Sequence, residues 1–185
     1  MTTPAHTPPP LAPSARYDRL SVLLHWAMAL LILGQLAVGL WMVGLPKDDS
    51  GLRAQWFNNH KAMGLVLLLL IALRAARLTT RPAIAPAPGL PMQQRLATGT
   101  HHLLYLLMVL APLSGLMGSV WSKYPIKFWG LVLPRLAEPW EAGKAAMSSI
   151  HSTSTTVLMV LVALHLAGVA YHQFIRRDGL LQRMR

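Results

Sequence analysis

No cysteine occurs among the 185 residues. That absence excludes disulfides, thiolate-bound zinc, iron–sulfur clusters and the covalent haem attachment that needs C-x-x-C-H. Any metal chemistry must therefore run through histidine or methionine. Acids are scarce too: six Asp and Glu stand against seventeen Lys and Arg, a formal charge of +11. Only 12% of residues are charged, about half the usual fraction in a soluble domain. On a soluble chain this many bases would point to nucleic acid. Here they lie between long apolar blocks, which argues against that partner and gives the bases a role in membrane orientation.

What is abundant is apolar length, with 54% of residues hydrophobic. A spanning helix needs about 20 apolar residues, and four blocks qualify: Leu20 to Gly44, Asn59 to Leu78, Thr100 to Trp121, and Ser149 to Phe174. The expectation is an all-α membrane protein, a bundle of four transmembrane helices embedded in a lipid bilayer. Residues 1–19 are rich in proline, contain no apolar run and read as a disordered tail. The first apolar block is too long for a signal-peptide core and lacks an A-x-A-like cleavage site, so it is expected to be retained. Residues 20–175 form the bundle and residues 176–185 a basic tail. The connection from Pro46 to Phe57 reads as short and polar, and that from Thr79 to Gly99 as an extended, proline-rich strap. The one from Ser122 to Met147 suits the headgroup layer with Tyr124, Phe128, Trp129 and Trp140, and has room for a short interfacial helix. Ten bases fall on the side holding both termini and the second connection; seven bases and four of the six acids fall on the other. Counting bases places both termini in the cytoplasm.

The histidines carry the chemistry. An imidazole inside a membrane span is costly without a partner, and so marks function. His151 and His165 are fourteen residues apart on the fourth span, which puts them within roughly 40° on one helical face and about 21 Å apart along the axis. One helix thus offers a ligand near each membrane surface. His60 opens the second span level with His151, and His25 lies near the start of the first span, on the side of His165. Two His/His pairs across helices result, each able to clamp an iron from both faces of a flat porphyrin. Such ligation leaves no open iron position and favours electron transfer, with the axial ligands helping to set the potential. Depth alone leaves the inner pair open, because His101, His102 and His172 share that side. His101 and His102 could instead bind a propionate, a quinone head or phospholipid. Gly64, one turn after His60, and Gly168, three residues after His165, leave room for a flat ring, as do Gly34, Gly39 and Gly115. Close helix packing in lipid explains such glycines equally well.

The segment Tyr17-Asp18-Arg19-Leu20-Ser21-Val22-Leu23-Leu24-His25-Trp26 resembles the opening of the bacterial cytochrome b561 family. The likeness continues through His60-x-x-x-Gly64, the Arg74 to Leu78 helix end, His101-x-x-x-Tyr105 with Pro112 and Gly115, and His151, His165 and His172. It ends in the Asp178-Gly179-Leu180-Leu181 tail. The family often carries a histidine at the place of Thr98; only His101 matches here, so the role of that extra imidazole is absent or falls to His102. The resemblance implies a four-helix bundle in the bacterial inner membrane with two non-covalent b haems. The haem ligands it implies are His25 with His165 and His60 with His151. It also implies electron traffic between quinones and other donors or acceptors. One branch resembles a superoxide oxidase that reduces ubiquinone, and related bundles are quinone-reactive subunits of hydrogenases and formate dehydrogenases.

The first expectation is a free-standing di-haem oxidoreductase that takes electrons from a donor such as superoxide and passes them to ubiquinone. Lys61, Arg53, Lys123 and Lys127 on the outer side would attract an anion, though ordinary interfacial charge accounts for them as well. Trp121, Tyr124 and Trp129 would flank the quinone, or simply belong to an aromatic belt. The alternative is a haem b subunit of a larger respiratory dehydrogenase or hydrogenase-type complex, with a partner protein at the outer loops. Ion transport is disfavoured, because the spans lack acids and mid-membrane interruptions. A di-iron desaturase would need clusters of closely spaced histidines that are missing.

Overall fold

A computed structural model describes residues 16–80 and 90–184. Four long helices dominate it: α1 (Arg19–Met42), α2 (Leu52–Thr80), α3 (Pro91–Val120) and α4 (Glu141–Ala170). All four are long and apolar enough to cross a membrane. The disordered tail expected from the sequence lies, up to residue 15, outside the described residues, as does residues 81–89 of the expected strap.

Local chemistry sets the helix ends. The Asp18 carboxylate caps α1, accepting from the Ser21 backbone N–H at 3.1 Å and the Ser21 hydroxyl at 2.6 Å. Such a cap satisfies donors that the first helical turn leaves without partners. Arg77 of α2 reaches the same carboxylate at 3.3 Å, tying two helices together at one end. At the other end of α1, the Arg53 guanidinium donates to the carbonyls of Met42, Val43 and Leu45. Pro91 begins α3, where its missing N–H costs nothing.

Three expectations on the connections are corrected. The stretch from Leu52 to Phe57, read as polar loop, is already the first turns of α2. Residues Pro91 to Gly99, read as strap, are helical and open α3. The long aromatic connection holds no helix among its residues before α4; it forms a two-stranded hairpin, β1 (Lys127–Phe128) with antiparallel β2 (Leu131–Val132). Trp129 and Gly130 turn it with positive φ, 43° and 95°. β1 folds back against α2, so the hairpin crosses the end of the bundle away from both termini, the end that the charge balance of the sequence assigns to the outer side.

α1 packs on α2, α2 on α3, and α3 most closely on α4, while the backbones of α1 and α4 make no comparable approach. The core joins Met28 and Ile32 of α1, Leu67 and Ile71 of α2, Leu104 and Leu107 of α3, and Leu158 of α4. Leu158 stands seven residues from both His151 and His165. The core is therefore an apolar septum between two histidine levels. Outside it, Leu30, Leu40, Leu69 and Ile175 are exposed, as expected where lipid is the surrounding solvent. The buried hydroxyls of Ser114 and Ser154 donate back to carbonyls of their own helices, as a membrane interior demands.

Candidate haem-binding centre

At the outer level, His60 of α2 and His151 of α4 meet across the bundle with ring centres 6.3 Å apart and ring planes at 87°. His151 Nδ1 lies 2.7 Å from the Ala111 carbonyl of α3. Donation from Nδ1–H fixes the tautomer and leaves Nε2 as the electron pair for a metal, a common arrangement behind ligating imidazoles. Pro112 follows Ala111 and interrupts the α3 hydrogen-bond ladder locally. The approach also needs Gly115: a Cβ there would stand 3.1 Å from His151 Nδ1 and 3.2 Å from its Cε1. Gly39 packs on His60 without that constraint, since a Cβ there would meet His60 Cε1 at an ordinary 3.5 Å. His60 Nδ1 is buried with no hydrogen-bond partner among the described residues.

At the inner level the arrangement differs. The ring beside His165 is that of His101 on α3, 5.8 Å between centres at 67°. His25 of α1 lies within electrostatic range of Arg74, His165 and His101. His25 and His165 are half-buried, whereas His101 and His102 are exposed. His172 turns away to Asp178, 2.6 Å from Nδ1 to the carboxylate. Of the three other glycines singled out, Gly64 would direct a Cβ toward the Gln35 amide at 3.8 Å, and Gly34 and Gly168 face open space.

Two side chains gain a role that sequence reading did not give them. Arg74, read only as an orienting base, donates through Nε to the Tyr105 hydroxyl at 2.9 Å and through Nη1 to the Ser21 carbonyl at 3.2 Å. It thereby joins α1, α2 and α3 beside His25. Gln35 Nε2 donates to the His60 carbonyl at 2.8 Å, steadying the backbone of the outer imidazole. The available signal was a lone amide in a span otherwise free of strongly polar side chains after Trp26. Of the aromatics considered for a quinone, Trp121 packs edge-on against Trp140 at 5.0 Å, and Trp129 lies tilted against Phe128 at 4.6 Å on the hairpin. Tyr124 lines a shallow groove with Ile126, Leu133 and Arg135.

Comparison with known proteins decides the family. Residues 16–185 match the family described as prokaryotic cytochrome b561. The chain belongs to that family. It is 30% identical over 175 residues to cytochrome b561 homolog 2 of Escherichia coli K12, covering 91% of this chain and 90% of that protein. It is 27% identical over 175 residues to cytochrome b562 of Cereibacter sphaeroides, covering 91% and 94%. A probable superoxide oxidase of Yersinia pestis is 24% identical over 178 residues, covering 91% and 95%. As a cytochrome b561 family member, the chain is a multi-pass bacterial membrane protein of electron transfer, and its family implies haem b.

The outer residues fit that group. A metal–imidazole bond of about 2 Å sets two imidazoles on opposite faces of one iron with centres about 6 Å apart, and His60 and His151 stand 6.3 Å apart. The Ala111 carbonyl fixes the His151 tautomer, as behind a ligating imidazole, while the buried His60 Nδ1 has no hydrogen-bond partner among the described residues.

Proposed function

We propose that the chain is a di-haem b-type cytochrome of the bacterial inner membrane that passes electrons from a donor to the ubiquinone pool. The observation that carries this reading is the facing of His60 and His151 at ligand spacing, one level removed from a second group of imidazoles across an apolar septum. Haem, when bound, supplies reversible one-electron chemistry at iron. This chain's own residues hold and orient it. His60 and His151 would hold the outer group, with Ala111 holding the His151 tautomer and Gly115 making room for its ring.

His25 and His165 would hold the inner group. His101 stands as close to His165, but α3 and α4 are the most tightly packed helices, and a porphyrin between them would have to wedge them apart. The backbones of α1 and α4 make no comparable approach, so a flat group between them would part no tightly packed pair, and Gly168 faces open space on α4. Arg74 offers a guanidinium beside His25, suited to an anionic propionate. His101 and His102 flank this level without ligating. His25→Ala should lose one haem and His60→Ala the other, while His101→Ala keeps both; loss of the inner haem from His101→Ala with retention in His25→Ala would reverse the assignment.

The donor we favour is superoxide at the outer face, where Lys61 and Lys144 lie within electrostatic range of each other and Lys123 and Lys127 border the hairpin. Support also comes from the likeness to the probable superoxide oxidase. Purified chain mixed with superoxide and ubiquinone should show haem reduction followed by quinone reduction. No reduction by superoxide would remove this donor. A stoichiometric protein partner at the outer loops would favour instead the reading as a subunit of a larger respiratory complex.

A further inference from the structure

The C-terminal segment after α4 is folded, and its contacts are specific. α4 passes into one π-helical stretch, Tyr171–Arg176, and the chain then turns at Arg177, whose φ is 52°. Asp178 binds back to His172 at 2.6 Å and accepts the Leu180 backbone N–H at 3.2 Å. A 3-10 turn follows over Leu180–Met184. Its far end is held by α1 and the residues before it. The Trp26 indole N–H donates to the Met184 carbonyl at 2.9 Å, and the Tyr17 backbone N–H donates to the Arg183 carbonyl at 3.0 Å. Leu180, Leu181 and Met184 are half-buried.

These bonds span one particular gap. α1 and α4 are the neighbours whose backbones do not close on each other, and they carry His25 and His165. His172 lies seven residues beyond His165, at the start of the π-helical continuation of the same helix. Trp26 follows His25 and packs edge-on against its imidazole, ring centres 5.4 Å apart. The segment therefore starts below one inner imidazole and ends on the side chain that packs against the other. π-turns of this kind recur at functional sites.

We propose that residues 178–184 form a clasp that sets the spacing of α1 and α4 and so positions the inner imidazole pair. Trp26, His172 and Asp178 are its positioning residues. The inference rests on the reading of His25 and His165 as inner haem ligands, and it assigns them a tether built from other residues. A clasp also explains why α1 can stand off from α4 without drifting: the gap needed for a flat cofactor is bridged at its mouth by backbone carbonyls.

The test uses the full chain, which has no native cysteine, with spin labels on Leu23→Cys of α1 and Gln182→Cys of the clasp. A single narrow distance distribution is expected. Asp178→Ala and Trp26→Phe should broaden it and shift the electron paramagnetic resonance signal and midpoint potential of the inner haem, leaving the outer haem unchanged. Asp178→Asn, which keeps an oxygen acceptor for His172 Nδ1–H, should restore both. A distribution already broad in the parent chain, or one unmoved by Asp178→Ala and Trp26→Phe, overturns the clasp. A broadened distance with an unchanged inner-haem signal overturns its positioning role. Absence of an inner haem from the parent overturns the ligand assignment instead, and the label distances in haem-free chain still decide for or against the clasp.

Discussion

At the scale of single residues, the outer site depends on what Gly115 lacks. An added methyl would stand 3.1–3.2 Å from the His151 ring, closer than a packed core accommodates without displacement. Gly115→Ala should therefore tilt or expel that imidazole, at an overpacking cost of about 1–3 kcal/mol. Haem analysis of the variant is expected to show loss or spectral shift of one haem with the other intact. Gly34 has nothing within 4 Å of its ideal Cβ, so Gly34→Ala is the matched control and should keep the outer site. Loss of the same haem from both variants would mean that close approach at Gly115 is not the cause. The residue types were legible in the sequence: histidines in spans demand partners. Which imidazoles meet was legible only on the outer side, where His60 faces no competitor at its depth. On the inner side His101 and His102 crowd the same level, and helical periodicity cannot say that His101 comes beside His165 through the tight packing of α3 on α4.

At the scale of elements, helix ends are held by single charged side chains. Hydrogen bonds from the Ser21 hydroxyl and backbone N–H, with Arg77 adding its charge, hold the Asp18 carboxyl down to about 2 from its usual 3.8. A depressed carboxylate contributes stability that is present above its unfolded pKa and lost as pH falls through the folded one. The stability difference between the parent and Asp18→Asn should be constant above about pH 4 and shrink between about pH 4 and pH 2, as read by thermal unfolding in detergent at each pH. A difference that persists unchanged to pH 2 would show that the charge is not what matters. At the opposite end, Arg53→Ala leaves three carbonyls without their guanidinium donor and should cost about 1–2 kcal/mol, measured as a lower unfolding midpoint. The four spans were readable from apolar length alone. Their bounds were not, because Leu52 to Phe57 and Pro91 to Gly99 are helix that runs on beyond the apolar stretch, Pro91 to Gly99 exposed throughout. The hairpin escaped reading because Lys127 to Val132 has only two residues per strand, too few for an alternating pattern. The clasp escaped because Asp178-Gly179 reads as a turn, and nothing local shows that Trp26 receives its far end.

At the scale of the whole molecule, one apolar core does two jobs. Met28, Ile32, Leu67, Ile71, Leu104, Leu107 and Leu158 hold the bundle together and separate the two imidazole levels by about 21 Å along α4. On the proposed assignment both sites hang from this one helix, so α4 sets their separation while α2 and α1 each complete one of them. Independence follows: His60→Ala should leave the inner haem's potential unchanged, and joint loss of both haems would show that the septum does not insulate them. The positive outer rim around Lys61 and Lys144 predicts that reduction by superoxide slows as ionic strength rises, since exposed charges separated by more than about 10 Å are screened at 0.1 M salt. A salt-independent rate would remove electrostatic attraction from the account. The most direct measurement is haem quantitation combined with low-temperature electron paramagnetic resonance on the purified chain. Two haems per chain, both low-spin with two imidazole ligands, is the predicted result; a single haem, a high-spin centre or a colourless protein would contradict it.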